Sequence, residues 1–212
     1  MSRFNKLDNI ILHFDSGLRT LWGEPVGTTR PDPAQLWEEV ELTTVEQQLS
    51  ARLMRVNHAG EVAAQALYQG QALTARRVDI RDQLQQSALE ENDHLRWCQN
   101  RIRELRGHVS WFNPIWYPGS LLIGATAGLV GDKWSLGFLA ETERQVVKHL
   151  ENHLQRLPEQ DHKSRAILKQ MQIDEAHHAA VATKAGAVSL PKPVRWLMAQ
   201  TAKIMTKTSF WI

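Results

Sequence analysis

The chain has 212 residues, 42% apolar and 23% charged, which is ordinary for a globular protein and most simply forms one unit with a real core. A net charge of +2, with nine His taken as neutral, is too balanced to argue for nucleic acid, and no RNA- or DNA-binding signature is present. The single Cys98 excludes an internal disulfide and a thiolate zinc or iron–sulfur site within one chain, and it reads as a small buried residue in a reducing compartment.

Phe4, Leu7, Ile10, Ile11, Phe14, Leu18 and Leu21 recur at three- and four-residue steps, so residues 4–22 read as a short amphipathic helix. Gly23, Pro25, Gly27, Pro31 and Pro33 make 23–34 a linker. Residues 1–43 thus form an N-terminal helix and linker ahead of a domain spanning 44–212. The first long helix starts near Thr44, where Thr44-Val45-Glu46-Gln47 fits a capping box, and runs to about Ala75. The second runs from about Ile80 to Arg106, with Gly107 as its stop. Residues 111–131 are apolar, rich in Trp and interrupted by Pro and Gly, and they are too short to span a bilayer. The third long helix runs from Asp132 to just before Pro158, and the fourth from Glu159 to Ala185 with Gly186 as its stop. A last short helix fills 193–208, with Pro193 in its first turn.

These helices carry a repeated set of metal-binding residue types. Glu61 lies 30 positions before Glu91 in Glu91-Asn92-Asp93-His94, and Glu143 lies 32 positions before Glu175 in Glu175-Ala176-His177-His178. Within each Glu-x-x-His pair the side chains stand one turn apart on one helix face. A chain that leaves a mid-helix Glu, travels about 15 residues, turns and returns comes back to the same level, so each set defines an antiparallel helical hairpin with ligands at mid-height. The 49 residues from His94 to Glu143 are too many for a tight turn. The pattern is therefore all-α: a ferritin-like four-helix bundle with a long crossover, extra short N- and C-terminal helices and an apolar insertion. Four carboxylates with two imidazoles suit iron or manganese, and the lone Glu residues are placed to bridge two ions.

Chance alone gives about 0.6 Glu-x-x-His matches in a chain of this composition, and a third match, Glu159-Gln160-Asp161-His162, lacks a partner Glu and reads as a solvated charge cluster opening a helix. Glu90, Glu141 and His177 are rotated off the ligand face. Asp174, beside Glu175, is either an acceptor for a ligand His or a surface residue. His149 and His153 follow Glu143, and His153 reads as part of a solvated face.

The stretch Leu53-Met54-Arg55-Val56-Asn57-His58-Ala59-Gly60-Glu61 resembles the demethoxyubiquinone hydroxylases, the di-iron monooxygenases of ubiquinone biosynthesis. The resemblance continues through Glu91-Asn92-Asp93-His94, the apolar segment 119–131, Glu143 and Asp174-Glu175-Ala176-His177-His178, covering roughly residues 44–212. It implies two iron ions per chain, held by Glu61, Glu91, His94, Glu143, Glu175 and His178. It implies O2-dependent hydroxylation of a polyprenylated methoxy-methyl-benzoquinol, demethoxyubiquinol to demethylubiquinol, with electrons from NADH or from a reductase. A ubiquinone-biosynthesis complex is a further implied partner. Segment 111–131 independently favours peripheral membrane contact, to which the N-terminal helix and the Trp196, Phe210 and Trp211 tail can add; the alternative is that these patches pack on the bundle or on a second chain. No secretory signal is read and residues 1–20 are too poor in Arg and Ser for a transit peptide, which points to the cytoplasmic face of a bacterial membrane. Two alternatives stay open: a ferritin- or rubrerythrin-like iron or peroxide redox protein, and a non-enzymatic quinone-binding membrane scaffold.

Overall fold

The computed structural model describes residues 15–23, 26–28 and 30–212. The N-terminal amphipathic helix expected over 4–22 falls partly outside these residues; 15–22 is helical. After a short 3-10 turn at Pro33–Leu36 come six helices: α1 (Thr44–Thr74), α2 (Val78–Glu104), α3 (Asn113–Val130), α4 (Asp132–Arg156), α5 (His162–Lys184) and α6 (Lys192–Trp211). There is no strand among the described residues. The protein is all-α, as the sequence indicates.

Local chemistry sets the helix ends. The capping box of α1 is present one residue earlier than expected: Thr43 Oγ1 accepts from the Glu46 amide, and Glu46 Oε2 accepts from the Thr43 amide at 2.9 Å. α2 begins two residues before the expected Ile80 and stops at Glu104. Its left-handed stop residue is Arg106 (φ 57°) rather than Gly107, and the Gly107 amide reaches back to the Ile102 carbonyl at 2.8 Å. α5 closes with the same pattern, with Gly186 (φ 107°) at the left-handed position and the Ala187 amide on the Ala182 carbonyl. α5 starts at His162, not Glu159, because Asp161 caps it through a bond from the Ser164 amide. α6 is a turn longer than expected, ending at Trp211.

α1 packs against α2, and α4 against α5, forming two antiparallel hairpins that face each other through α1–α4 and α2–α5 contacts. The crossover between them is α3, and here the sequence reading needs correction: Pro and Gly do not interrupt the segment. Pro118 lies inside a continuous helix that lies tightly along α1. A Cβ on Gly124 would overlap the Leu67 carbonyl, and one on Gly70 would overlap the Leu121 carbonyl, so these glycines let the two backbones touch. α6 covers another side of α1, and Ser110 Oγ donates to the Ile212 carbonyl at 2.9 Å, joining the start of the α3 segment to the chain's last residue.

The core has two main apolar layers. One contains Met54, Trp97, Ile102, Leu150, Ile167 and Met171; the other contains Tyr68, Leu84, Leu136, Leu139 and Ala182. Each bundle helix passes from one layer to the other at the level of its expected ligands: Met54 to Tyr68 around Glu61, Leu84 to Trp97 around Glu91, Leu139 to Leu150 around Glu143, and Met171 to Ala182 around Glu175. The polar centre is thus enclosed above and below by close-packed hydrocarbon.

Candidate metal centre

All six residues selected by spacing are buried, none more than 3% exposed. Ligand atoms of Glu61, Glu91, His94 and Glu175 lie within 4.8 Å of one another, the one such group found among the described residues. His178 joins them through Nδ1, 3.1 Å from Glu91 Oε1 and 3.2 Å from Glu175 Oε2. Glu143 accepts a bond from the Tyr68 hydroxyl at 2.8 Å, close enough to Glu175 and Glu91 to feel their charge. The third match stays apart: Glu159 and His162 are exposed, and His162 stacks on Trp37.

The arrangement has an approximate two-fold character. Glu91 presents Oε2 to His94 Nδ1 at 3.0 Å and Oε1 to His178 Nδ1, while Glu175 presents Oε1 to His94 Nδ1 at 3.2 Å and Oε2 to His178 Nδ1. These two carboxylates span both halves, so they are the ones placed to bridge. The expectation that the lone Glu residues bridge is corrected: Glu61 approaches only His94, at 3.8 Å, and Glu143 lies at the other end under Tyr68. The reason is packing. α2 and α5 face each other, which sets the Glu of each pair opposite the His of the other.

The outer nitrogens follow the same reciprocity. His94 Nε2 lies 2.8 Å from Asp174 Oδ2, and His178 Nε2 lies 2.8 Å from Glu90 Oε2. Each acid stands immediately before the Glu of the opposite helix's Glu-x-x-His pair. Each is held by a Gln one turn earlier, Gln170 on Asp174 at 2.9 Å and Gln86 on Glu90 at 3.2 Å. With Nε2–H donated outward, each imidazole presents its Nδ1 lone pair to the centre. Of the two readings of Asp174, the structure shows the acceptor for His94 and not a free surface residue. Glu90, set off the ligand face by spacing, still reaches His178. The signal was in the sequence: Gln86-x-x-x-Glu90-Glu91-x-x-His94 and Gln170-x-x-x-Asp174-Glu175-x-x-His178 are one pattern written twice.

The electrostatics call for cations. Burial, then the Glu91 charge, raises Glu61 well above the carboxylate range; burial, then Glu175 and Glu91, does the same to Glu143. Burial opposes charge on His94 and His178, yet the surrounding carboxylates overcome it and raise both, His178 to about 12. Glu91 is held well below its ordinary value despite burial, by His94 and His178. Protons on the inward nitrogens here stand where metal ions would neutralise the same carboxylates. Four carboxylates, two imidazoles and no thiolate fit an iron- or manganese-type pair.

His153 departs from expectation. It is 3% exposed, with Nδ1 2.9 Å from Asn57 Oδ1 and its ring 3.9 Å from that of His149. It belongs to a buried polar contact between α1 and α4, not to a solvated face.

Comparison with known proteins agrees with this geometry. The sequence model of the family described as "Ubiquinone biosynthesis protein COQ7" matches residues 48–209, which include all six site residues. The chain is 57% identical to a 3-demethoxyubiquinol 3-hydroxylase of Nitrosococcus oceani over 99% of its own length and 98% of that protein. It is 56% identical to the protein of that name from Nitrosospira multiformis, over 97% of the chain and 99% of the relative. It is 55% identical to that of Legionella pneumophila, over 97% of each.

Proposed function

The chain belongs to the COQ7 family of ubiquinone biosynthesis proteins, and from that premise we propose that it hydroxylates 3-demethoxyubiquinol with O2 at a pair of iron ions held by Glu61, Glu91, His94, Glu143, Glu175 and His178. It is a hydroxylating monooxygenase of ubiquinone biosynthesis. Membership selects this reading over the ferritin-like redox protein and the quinone-binding scaffold. The observation that carries the metal assignment is the reciprocal placement of Glu91 and Glu175, each with one oxygen on either imidazole.

When bound, the iron pair supplies O2 activation and the electron transfer that ring hydroxylation needs. The protein supplies the rest. Glu91 and Glu175 fix the separation of the two positions, and Glu61 and Glu143 close the ends. Asp174 and Glu90 hold the imidazoles in the tautomer that faces inward. Tyr68, 1% exposed, donates to Glu143 and keeps that carboxylate from turning away. The two apolar layers exclude bulk water, which strengthens every interaction within the centre.

A polyprenylated quinol is membrane-dissolved, and the surface offers a matching face. No helix among the described residues is long and apolar enough to cross a membrane, and the contact proposed is a peripheral one. On α3, Ile115, Leu122 and Leu129 form an outward stripe at seven-residue spacing, 58%, 69% and 65% exposed. α6 turns Trp196, Leu197, Ile204 and Trp211 outward together with Lys192, Lys203 and Lys207, and it contains no acidic residue. This face supports the reading of peripheral attachment; the cytoplasmic side of a bacterial membrane, and electrons from NADH or from a reductase within a biosynthetic complex, belong to the same proposal.

The deciding experiment loads the purified protein with Fe(II) and supplies reductant, 18O2 and 3-demethoxyubiquinol. One 18O atom incorporated into the hydroxylated quinol is the expected result. Turnover without iron, or product oxygen drawn from water, would reject the assignment.

A further inference from the structure

Residues 26–28 and Arg30 lie against the outer side of the centre. The Thr28 amide donates to Asp93 Oδ1 at 3.1 Å, and Thr28 Oγ1 bonds Asp93 Oδ2. Asn92 Nδ2 donates to the Val26 carbonyl at 2.7 Å. Arg30 then makes three contacts. Its Nε donates to Asp93 Oδ2 at 3.1 Å, its NH1 donates to Asp174 Oδ2 at 2.8 Å, and its guanidinium lies 5.0 Å from the centre of the Trp97 ring. The oxygen it takes on Asp174 is the one that accepts from His94 Nε2.

The two halves of the centre are matched through Gln, acid, Glu and His, and Arg30 breaks the match. Asp174 bonds the guanidinium directly and is 12% exposed at its side chain; Glu90 bonds Gln86 and His178, feels the Arg30 charge only without contact and as the smallest influence on it, and is 27% exposed. A charge-assisted bond to a planar, fixed guanidinium orients a carboxylate more strongly than a neutral amide does. Arg30 lies outside residues 48–209, the stretch that the family's sequence model matches.

We infer that Arg30 is a positioning residue, brought in beside the strap of residues 26–28, that fixes His94 through Asp174 and so secures the metal ion on the His94 side selectively. The inference rests on the two-ion reading above. A carboxylate behind a ligand imidazole is worth about 10- to 100-fold in metal affinity. Loss of the group that orients it therefore falls on one ion and not on the other.

The test follows Fe(II) binding to the full chain anaerobically, by stoichiometry and by competition with a weak chelator, for wild type, Arg30→Gln, Arg30→Lys, Asp174→Asn, the Arg30→Gln/Asp174→Asn double variant and Thr28→Val. Wild type should bind two ions. Arg30→Gln should weaken one of them at least tenfold and leave the other at its wild-type affinity. Arg30→Lys, which keeps the charge but reaches one carboxylate rather than two, should fall between and guards against a simple folding failure. The double variant should lose no more than Asp174→Asn alone, because the two residues act in series. Thr28→Val, which loosens the strap without touching Asp174, should weaken the same ion by less than Arg30→Gln does. Equal weakening of both ions, wild-type binding in Arg30→Gln, additive losses, or an equal effect of Thr28→Val would each overturn the inference. A wild type that binds no metal would overturn the two-ion reading itself, a separate result.

Discussion

His178 Nε2 and Glu90 Oε2 lie 2.8 Å apart, joining α5 to α2 behind the centre rather than within it. Partial burial of Glu90 opposes its charge, yet His178 and Gln86 hold its pKa down, so it stays ionised and can steady the imidazole. Replacing Glu90 with Ala should weaken one of two bound ions by about 10- to 100-fold, with Gln intermediate because it still offers an oxygen to the Nε2–H. Metal titration with helix content followed by circular dichroism separates this from unfolding. An unchanged affinity in Glu90→Ala would make Glu90 a surface residue that merely lies nearby.

Bridging and terminal carboxylates should differ in what their loss removes. Glu91 and Glu175 each face both imidazoles, whereas Glu61 faces only His94. Glu91→Ala should therefore reduce bound metal from two ions to fewer than one, and Glu61→Ala should leave about one. Both should keep most of their helix content, since the apolar layers on either side are untouched. Elemental analysis after desalting gives the counts; identical losses from the two variants would contradict the bridging geometry.

What the sequence disclosed and what it hid divide along a physical line. Glu61, Glu91, His94, Glu143, Glu175 and His178 were legible because two regular periods act together, the helix turn within each pair and the out-and-back length of each hairpin. Glu90 turns off the ligand face of its own helix, so its role emerges only once α5 is seen opposite. Arg30 stands 144 positions from Asp174 in a linker without periodicity, and no local pattern connects them. Helix phase alone leaves His153 on a solvated face, because it says nothing of what Asn57 on α1 brings to meet it. In α3, glycines that read as breaks are instead the points of closest backbone approach.

That approach gives a stability prediction. Gly124→Ala puts a methyl into the Leu67 carbonyl, and neither helix can yield without lifting α3 from α1. Overpacking of this kind costs about 1–3 kcal/mol. The intrinsic helix preference of Ala over Gly, about 1 kcal/mol, works in the opposite direction and sets the lower end of the net effect. Gly119→Ala is the internal control, because a Cβ there meets nothing within 4 Å. Thermal melting should fall for Gly124→Ala and rise or hold for Gly119→Ala.

Three buried histidines predict acid sensitivity. Burial, then Arg103, lowers His58 to about 4; burial, then Arg156, lowers His149 to about 4; burial, then His149 and Arg156, lowers His153 to about 2. Each stays neutral in the folded state and gains a proton near pH 6.5 when unfolded. The stability they contribute is therefore present above about pH 6.5 and is lost as pH falls toward 4 and below, on the order of 3 kcal/mol for a shift from 6.5 to 4. His94 and His178 have raised values, so their contribution is complete below about 6.5 and is lost on the alkaline side. Denaturation of metal-free wild type and His153→Gln, compared from pH 7 to 4, should show the variant losing less stability over that interval, since Gln can keep the bond to Asn57 without titrating. Parallel curves would mean that His153 is already free to protonate in the folded protein.

The outward stripe of α3 gives the membrane test, and the fold dictates how it must be done. Deleting part of α3 would uncover the Gly70 surface of α1 and disturb the bundle itself. Exposed positions avoid this: Leu122→Glu and Leu129→Glu replace side chains 69% and 65% exposed, without touching the face that carries Tyr117, Gly124 and Gly128. If α3 and α6 rest on lipid, the double variant should sediment with anionic vesicles several-fold less than wild type while binding the same two metal ions. Neutralising Lys203 and Lys207 with Gln should reduce binding to anionic vesicles and leave binding to neutral ones as it was, because those side chains read headgroup charge and not hydrocarbon. Equal vesicle binding by all three proteins would assign the apolar face to a second copy or to another protein, and size-exclusion chromatography of the Glu variants would then show a change of assembly state.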